Sequence, residues 1–339
     1  SLSPTPLRPL RAAPTQTFMD TNAFDPEFAE AVRTGLADRP RRLSSRYFYD
    51  ATGDRLFQAI MASDGYYLTD CEREILREQG GEIARRIRSG GPFELVELGA
   101  GDGSKICHLI DALHDQSADF VYKPLDISEH VLGLLAERLR PTRPWLRMEP
   151  LAGNYMHWLA QPRRPGVRRV FAFMGSNLGN FDPDAAVGFL SEIRASMNAG
   201  DFLLIGLDLK KDPALIRAAY DDVDGITARF NLNLLERINR ELGGDFDVNR
   251  WRHEPSYDPD SGAARSALRS ECKQSVSISA LSESFDFAAG ELVHTEISQK
   301  YDDALIKHLA EASGFQVSAA FTDQRGWFTD QLWEPVQSL

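Results

Sequence analysis

Cysteine is scarce in this chain. Its 339 residues hold three, Cys71, Cys107 and Cys272, widely separated and with no C-x-x-C pair. That excludes a disulfide framework and a cysteine-built metal centre, and it fits a reducing cytoplasm. Positive charge is also in deficit. Lys and Arg number 38 against 50 Asp and Glu, for a net charge of −12. Such a balance argues against a nucleic-acid partner. No apolar run approaches the roughly 18 residues of a membrane span, and no signal segment opens the chain. No cluster of metal-ligand residues stands out, so no metal is expected. Ser1–Thr17 is rich in proline and polar residues, and residues 1–20 read as a flexible leader.

One further absence bears on the cofactor. Phe93–Leu109, FELVELGAGDGSKICHL, reads as strand, tight glycine turn and helix. The dinucleotide fingerprint G-x-G-x-x-G would need a third glycine where this chain has Ser104. The glycines fall instead at alternate positions, Gly99, Gly101 and Gly103, after the strand-end acid Glu97. This suits S-adenosylmethionine better than a nicotinamide dinucleotide. Glycines there accept positive φ and admit a ligand against the backbone, and the helix start offers free N–H groups. A second strand-like run ends in Asp126, placed to bind ribose hydroxyls or, alternatively, only to cap the helix that begins near Ser128.

Alternation of short apolar runs with amphipathic segments continues to about Leu209. Strands are expected at Phe93–Leu98, Phe120–Leu125, Leu146–Pro150, Arg169–Phe173 and Phe202–Leu207, with helices between them, such as Val131–Arg140 and Ala185–Met197. That pattern implies a parallel α/β sheet with ligands beyond the carboxyl ends of its strands. The fourth strand runs into MGSNLGNF, Met174–Phe181, whose glycines and asparagines suit close approach to a ligand. The alternative is a plain turn before a helix capped by Asp182. The fifth leads to Asp208 and Tyr220. Upstream, Asp25–Leu36, Asp54–Ala62 and Asp70–Gln79 read as helices, the last capped by Thr69 or Asp70. Downstream the period changes. Gly225–Leu242 is helical, Trp251–Ser279 and Glu291–Tyr301 alternate as antiparallel strands, and Asp302–Ser313 is a helix. Phe315–Phe321 and Asp330–Val336 return to the sheet. In Glu291–Tyr301, Glu296 and Ser298 share one strand face, which could be solvated or functional.

Several stretches, in order, resemble the histidine-specific N-methyltransferases that make hercynine in ergothioneine biosynthesis. They are RYFYDATGDRLFQAI, GYYLTDCEREIL, VELGAGDGSK, FMGSNLGNF, LLIGLDLKKDP, AYDD, GITARFN and HTEISQKY, and the resemblance covers about residues 25–339. It implies a Rossmann-like class I methyltransferase sheet with an inserted α+β acceptor-binding domain. Residues 21–92 and 212–300 would form the acceptor lobe, and 93–211 with 301–339 the core. It further implies an enzyme using S-adenosylmethionine and a small amino-acid substrate, taken to act as a cytoplasmic monomer. The cofactor would be held by Tyr49, Gly99, Gly101, Lys105, Asp126, Asn154 and Tyr155. In the acceptor pocket Tyr66 and Asn180 would hold and aim the amine, and Asn180 with Tyr220 the carboxylate. Glu296 with Ser298 would take the imidazole, beside Gly175 and Asn177. The chain departs from the family pattern at Leu68-Thr69-Asp70, at Asn177 and at Ser266, and the last two changes make the pocket more polar. The alternatives are another amino acid or small amine as acceptor, a non-catalytic S-adenosylmethionine-binding module, and a nicotinamide dehydrogenase.

Overall fold

The computed structural model describes residues 24–337; the leader expected over residues 1–20 lies outside them. Helix α1 (Pro26–Ala37) starts where the sequence predicts, with Asp25 accepting from two first-turn amides and Pro26 at the first position. Helix α2 (Ala51–Met61) is capped by Asp50. Helix α3 (Leu68–Arg88) is longer than Asp70–Gln79 and begins directly after Tyr67, with no side-chain cap. Neither Thr69 nor Asp70 caps it, because an apolar stripe through Leu68, Cys71, Ile75, Leu76 and Ile83 buries both earlier and later turns.

The core then alternates β1 (Phe93–Leu98), α4 (Ile106–Asp115), β2 (Phe120–Asp126), α5 (Glu129–Leu139), β3 (Leu151–Ala152), α6 (Tyr155–Leu159), β4 (Arg168–Phe173), α7 (Pro183–Ala195) and β5 (Phe202–Asp208). The third strand is shorter and later than Leu146–Pro150. Met148 makes only an isolated bridge to Tyr122, and continuous pairing resumes at Leu151 after Pro150, which has no N–H to give. After α8 (Pro213–Tyr220) and α9 (Ile226–Leu242) come five antiparallel strands, β6 (Trp251–Asp258), β7 (Ala263–Ser270), β8 (Gln274–Ile278), β9 (Glu283–Phe287) and β10 (Leu292–Gln299). Helix α10 (Asp303–Ala312) and strands β11 (Phe315–Thr322) and β12 (Phe328–Pro335) complete the described chain.

The large sheet has the order β11-β12-β5-β4-β1-β2-β3. Strands β1 to β5 are parallel, while β12 runs antiparallel to β5 and to β11. Both faces are covered, so its strands read as apolar runs. Leu95, Val170, Ala172 and Leu204 point to the face packed by α3, α4 and α5. Val96, Leu98, Phe171, Phe173 and Leu203 point to the face packed by α7 and α10. A separate core joins α1, α2 and α9 to β7–β10 and holds Phe28, Phe48, Phe230, Leu234 and Phe285. Helices α1 and α2 therefore pack with the antiparallel region, whereas α3, expected with them in the 21–92 acceptor lobe, packs on the core sheet because its apolar stripe is buried there.

Neighbours β1 and β4 lead to loops that diverge, and the crevice between them is where such sheets bind ligands. The antiparallel region reaches that crevice directly. After β10 the backbone of Tyr301 donates to the Asp208 carbonyl at 2.9 Å, and Lys210 donates back to Tyr301 at 2.7 Å. Gly179, after β4, sits so close to β10 that a Cβ would lie 3.0 Å from the Gln299 carbonyl oxygen.

The junction before α2 is equally tight. A Cβ on Gly53 would fall 1.7 Å from the Phe48 carbonyl oxygen. Gly53→Ala is expected to cost about 1–3 kcal/mol through forced backbone movement, seen as a lowered melting temperature. Gly133→Ala is the control. It faces open space on α5, where alanine is expected to be neutral or stabilising. Equal melting temperatures for the two variants would contradict the packing described.

Candidate active site

The cofactor side of the crevice is built on backbone. Gly99, Gly101 and Gly103 all have positive φ, at 75°, 56° and 72°. Asp102 closes the turn by accepting from the Ser104 amide at 2.9 Å. A Cβ at Gly101 would meet nothing within 4 Å, which leaves open space over the turn. Asp126 stands beside it. Burial raises its carboxyl above the usual range, opposed by the amides of Ser128, Ile127 and Gly101. It does orient the start of α5, accepting from Ser128 at 3.0 Å, but the cap that reaches Val131 is Ser128. Capping and ribose binding are therefore compatible.

Around Gly99 several side chains named from the sequence converge. A Cβ there would lie 2.9 Å from the Tyr155 hydroxyl and 3.6 Å from Asn177 Nδ2. A Cβ on Gly175 would lie 3.3 Å from Lys105 Nζ. Asn154 is exposed, and its Oδ1 already accepts from the Met156 amide at 2.8 Å, so only its second lone pair and its NH2 remain for a ligand. Glu97 is buried and accepts from the Tyr122 hydroxyl at 2.5 Å. Burial pushes its carboxyl up to about 8 against that hydrogen bond. The open, glycine-lined turn with an adjoining carboxylate fits the amino-acid and ribose groups of S-adenosylmethionine.

Glu72 was not read from the sequence, yet it ties this region together. Its two oxygens both accept from the Gly175 amide at 2.9 Å, and one meets Lys105 Nζ at 2.8 Å. Burial works against the Lys105 charge, and the Glu72 carboxylate more than offsets it. Asp330 on β12 lies against the same group; burial and then Glu72 drive its carboxyl well above the usual range. A buried acid on the apolar stripe of α3 was the available signal for Glu72.

The acceptor side is aromatic and comes from both regions. Tyr66 lies edge-on to Tyr220 at 6.4 Å and to Phe57 at 6.5 Å. Tyr49 packs edge-on to Phe57 and Phe230, at 5.6 and 5.7 Å, and remains 43% exposed. Burial raises the Tyr66 and Tyr220 phenols well above their ordinary value, aided by nearby acids. Glu296 faces these rings from β10. A bulge between His294 and Glu296 re-aims the strand, while Thr295 anchors it by donating to Asn231 Oδ1 at 2.8 Å. Burial pushes the Glu296 carboxyl up to about 7, opposed only by the charge of Lys300.

Ser298 is placed differently from the expected pairing with Glu296. Its hydroxyl is 2.8 Å from the Tyr220 hydroxyl and 2.8 Å from Lys300 Nζ. Asn180 is exposed, one residue beyond the contact of Gly179 with β10. Ser266 is buried opposite Glu296 in the β7–β10 register.

A model of the histidine-specific, S-adenosylmethionine-dependent methyltransferases matches residues 28–335. The chain belongs to that family. The Mycobacterium tuberculosis protein named histidine N-alpha-methyltransferase is 36% identical over 300 residues, which are 88% of this chain and 90% of that one. Its Mycolicibacterium smegmatis namesake is 37% identical over 298 residues, 88% and 91% of the two chains. Ergothioneine biosynthesis protein 1 of Schizosaccharomyces pombe is 30% identical over 288 residues, covering 83% of this chain and 37% of its own. The chain is thus an S-adenosylmethionine-dependent methyltransferase, as the resemblance implied.

Two outcomes test this geometry. Asp126→Ala should weaken S-adenosylmethionine binding by about 1.5–3 kcal/mol in calorimetry; unchanged affinity removes Asp126 from the site. Glu296 governs a stability window. An acid whose pKa is higher folded than unfolded holds its proton more tightly in the native chain. Stability then falls as pH rises from the ordinary value of 4.5 to about 7. Glu296→Gln removes this loss, so the ligand-free variant should melt several degrees above the parent in mild alkali. The gap should close in acid below that window, and a gap independent of pH would contradict the burial.

Proposed function

We propose that this methyltransferase acts on the α-amine of L-histidine and adds three methyl groups in succession to give hercynine. The observation that carries the reading is Glu296. Its part-buried carboxyl faces Tyr66, Tyr220 and Tyr49 and makes no hydrogen bond to any described residue. An imidazole N–H supplies the missing donor, and a protonated ring adds an ionic attraction to the carboxylate.

S-adenosylmethionine, when bound, supplies an electrophilic sulfonium methyl for in-line displacement. The residues of the chain bring a neutral amine to it. Tyr66 keeps its proton, so its hydroxyl oxygen accepts an amine N–H without acting as a base, and Asn180 offers its amide oxygen similarly. Alignment of the lone pair supplies most of the acceleration. As methyl groups accumulate, hydrogen bonds are lost and positive charge becomes permanent. The faces of Tyr66, Tyr220 and Tyr49 then favour the cation. Three free cysteines support a reducing cytoplasm.

Glu296→Ala should lower kcat/KM for histidine about 100-fold or more, because its loss removes the charged partner proposed for the ring, while cofactor affinity stays unchanged. Asn180→Ala should impair every amino-acid acceptor alike. Mass spectrometry of product from the parent and both variants reads this. Full histidine activity in Glu296→Ala would return Glu296 to a plain strand position.

A further inference from the structure

Behind Tyr220 and Ser298 lies a charge cluster that neither the motifs nor the proposed acceptor contacts account for. Lys300 and Asp208 are both fully buried. The Lys300 ammonium forms an ion pair with Asp208 Oδ2 at 2.8 Å and donates to the Tyr220 hydroxyl at 2.5 Å and the Ser298 hydroxyl at 2.8 Å. Asp208 also accepts from the Tyr67 hydroxyl at 2.6 Å and pairs through Oδ1 with Lys211 at 2.7 Å. Lys211 has its own further contacts, to Tyr67 at 2.8 Å and to the Leu209 carbonyl. Two lysines therefore surround one carboxylate; burial lowers the Lys211 pKa against the pull of Asp208, and with both ammonium groups protonated the cluster carries one positive charge in excess. Glu296 lies within electrostatic reach of Lys300, as does Tyr257 on β6.

The hydroxyl pair carries that excess to the cleft. Each oxygen accepts one Lys300 N–H, and one hydroxyl donates to the other. A single O–H hydrogen is left over, polarised by the ammonium behind it. A buried charge of this kind costs free energy unless an anion meets it. The α-carboxylate of the acceptor, which the resemblance already places at Tyr220, is such an anion, and an amide or a decarboxylated amine offers no such charge.

We propose that Lys300 is the positioning residue that makes the enzyme demand a free α-carboxylate on its acceptor, acting through the Tyr220–Ser298 hydroxyl pair. This rests on the reading of the cleft as an α-amino-acid site. The amine is methylated at one end of the substrate and the ring is bound by Glu296 at the other. Lys300 discriminates between substrates that differ only at the carboxyl group.

The test compares L-histidine, L-histidinamide and histamine as acceptors, by kcat/KM, in the parent, Lys300→Met and Lys300→Arg. The parent should prefer histidine to histidinamide by at least about tenfold, the scale of one charged hydrogen bond. Lys300→Met should raise KM for histidine by a similar factor, leave that for histidinamide nearly unchanged, and so collapse the preference. Lys300→Arg should retain most of it. Lys300→Gln, which keeps polar partners for the hydroxyls, is the second neutral variant should the methionine chain fail to fold. A merely structural role would lower activity on all three acceptors together and would overturn the proposal. So would a parent that takes histidinamide as readily as histidine, a result that needs no variant. If the acceptor is another amino acid, the same comparison with that amino acid and its amide still decides the role of Lys300, so the histidine reading and this one fail separately.

Discussion

Asp208 is where the two halves of this protein are joined. Its backbone carbonyl accepts from Tyr301, at the point where the antiparallel region returns to the core. Its amide donates to Ser176 Oγ at 2.9 Å, which holds the turn after β4 in a left-handed conformation, with φ of 54° at Ser176. Its carboxylate binds Tyr67 from α3, Lys211 from its own loop and Lys300 from the end of β10. A fully buried carboxylate is tolerated only when its oxygens are met by charge and hydrogen bonds, and every group that meets this one comes from a segment lining the cleft. Lys211 balances the Asp208 charge and Lys300 adds to it, so the arrangement specifies how these segments sit together.

Glu72 does comparable work on the cofactor side, where α3 clamps Lys105 and the Gly175 amide. Tyr66 and Tyr67 immediately precede helix α3 and Glu72 lies in its second turn, so this helix and its entry link both halves of the site. This suits a reaction whose rate depends on aligning an amine lone pair with a sulfonium methyl. On the proposed reading, the acceptor pocket has opposite electrostatic ends: an acid at Glu296 that would take the ring and a polarised hydroxyl pair before Lys300 that would take the carboxylate. An amphoteric amino acid would then be read as an oriented dipole between them.

Most of the fold was legible because strand and helix periods are strong where both sheet faces are buried. The glycine turn, Asp126 and MGSNLGNF fell at strand ends, and the structure puts them at one crevice. The strand placed at Leu146–Pro150 was misread because an apolar run does not reveal that a proline breaks its pairing. The start of α3 was misread because packing of its stripe overrode capping chemistry. Glu296 could be named only through the resemblance, since alternation leaves a strand face ambiguous. Lys300 shares the two-residue alternation of Glu296 and Ser298, so its direction was visible while its partner Asp208, some ninety positions earlier, was not. Glu72 and Asp330 escaped for the same reason: each is an isolated acid in an apolar stretch, and only tertiary contact shows that they meet.

The central claim is that this cleft selects histidine among amino acids. It is tested most directly by presenting the parent enzyme and S-adenosylmethionine with an equimolar mixture of the standard amino acids and weighing the products. The account predicts that histidine alone gains methyl groups and that it reaches the trimethylated form. Trimethylation of a different amino acid, with histidine left unmodified, would contradict the assignment of Glu296 as the ring-binding group.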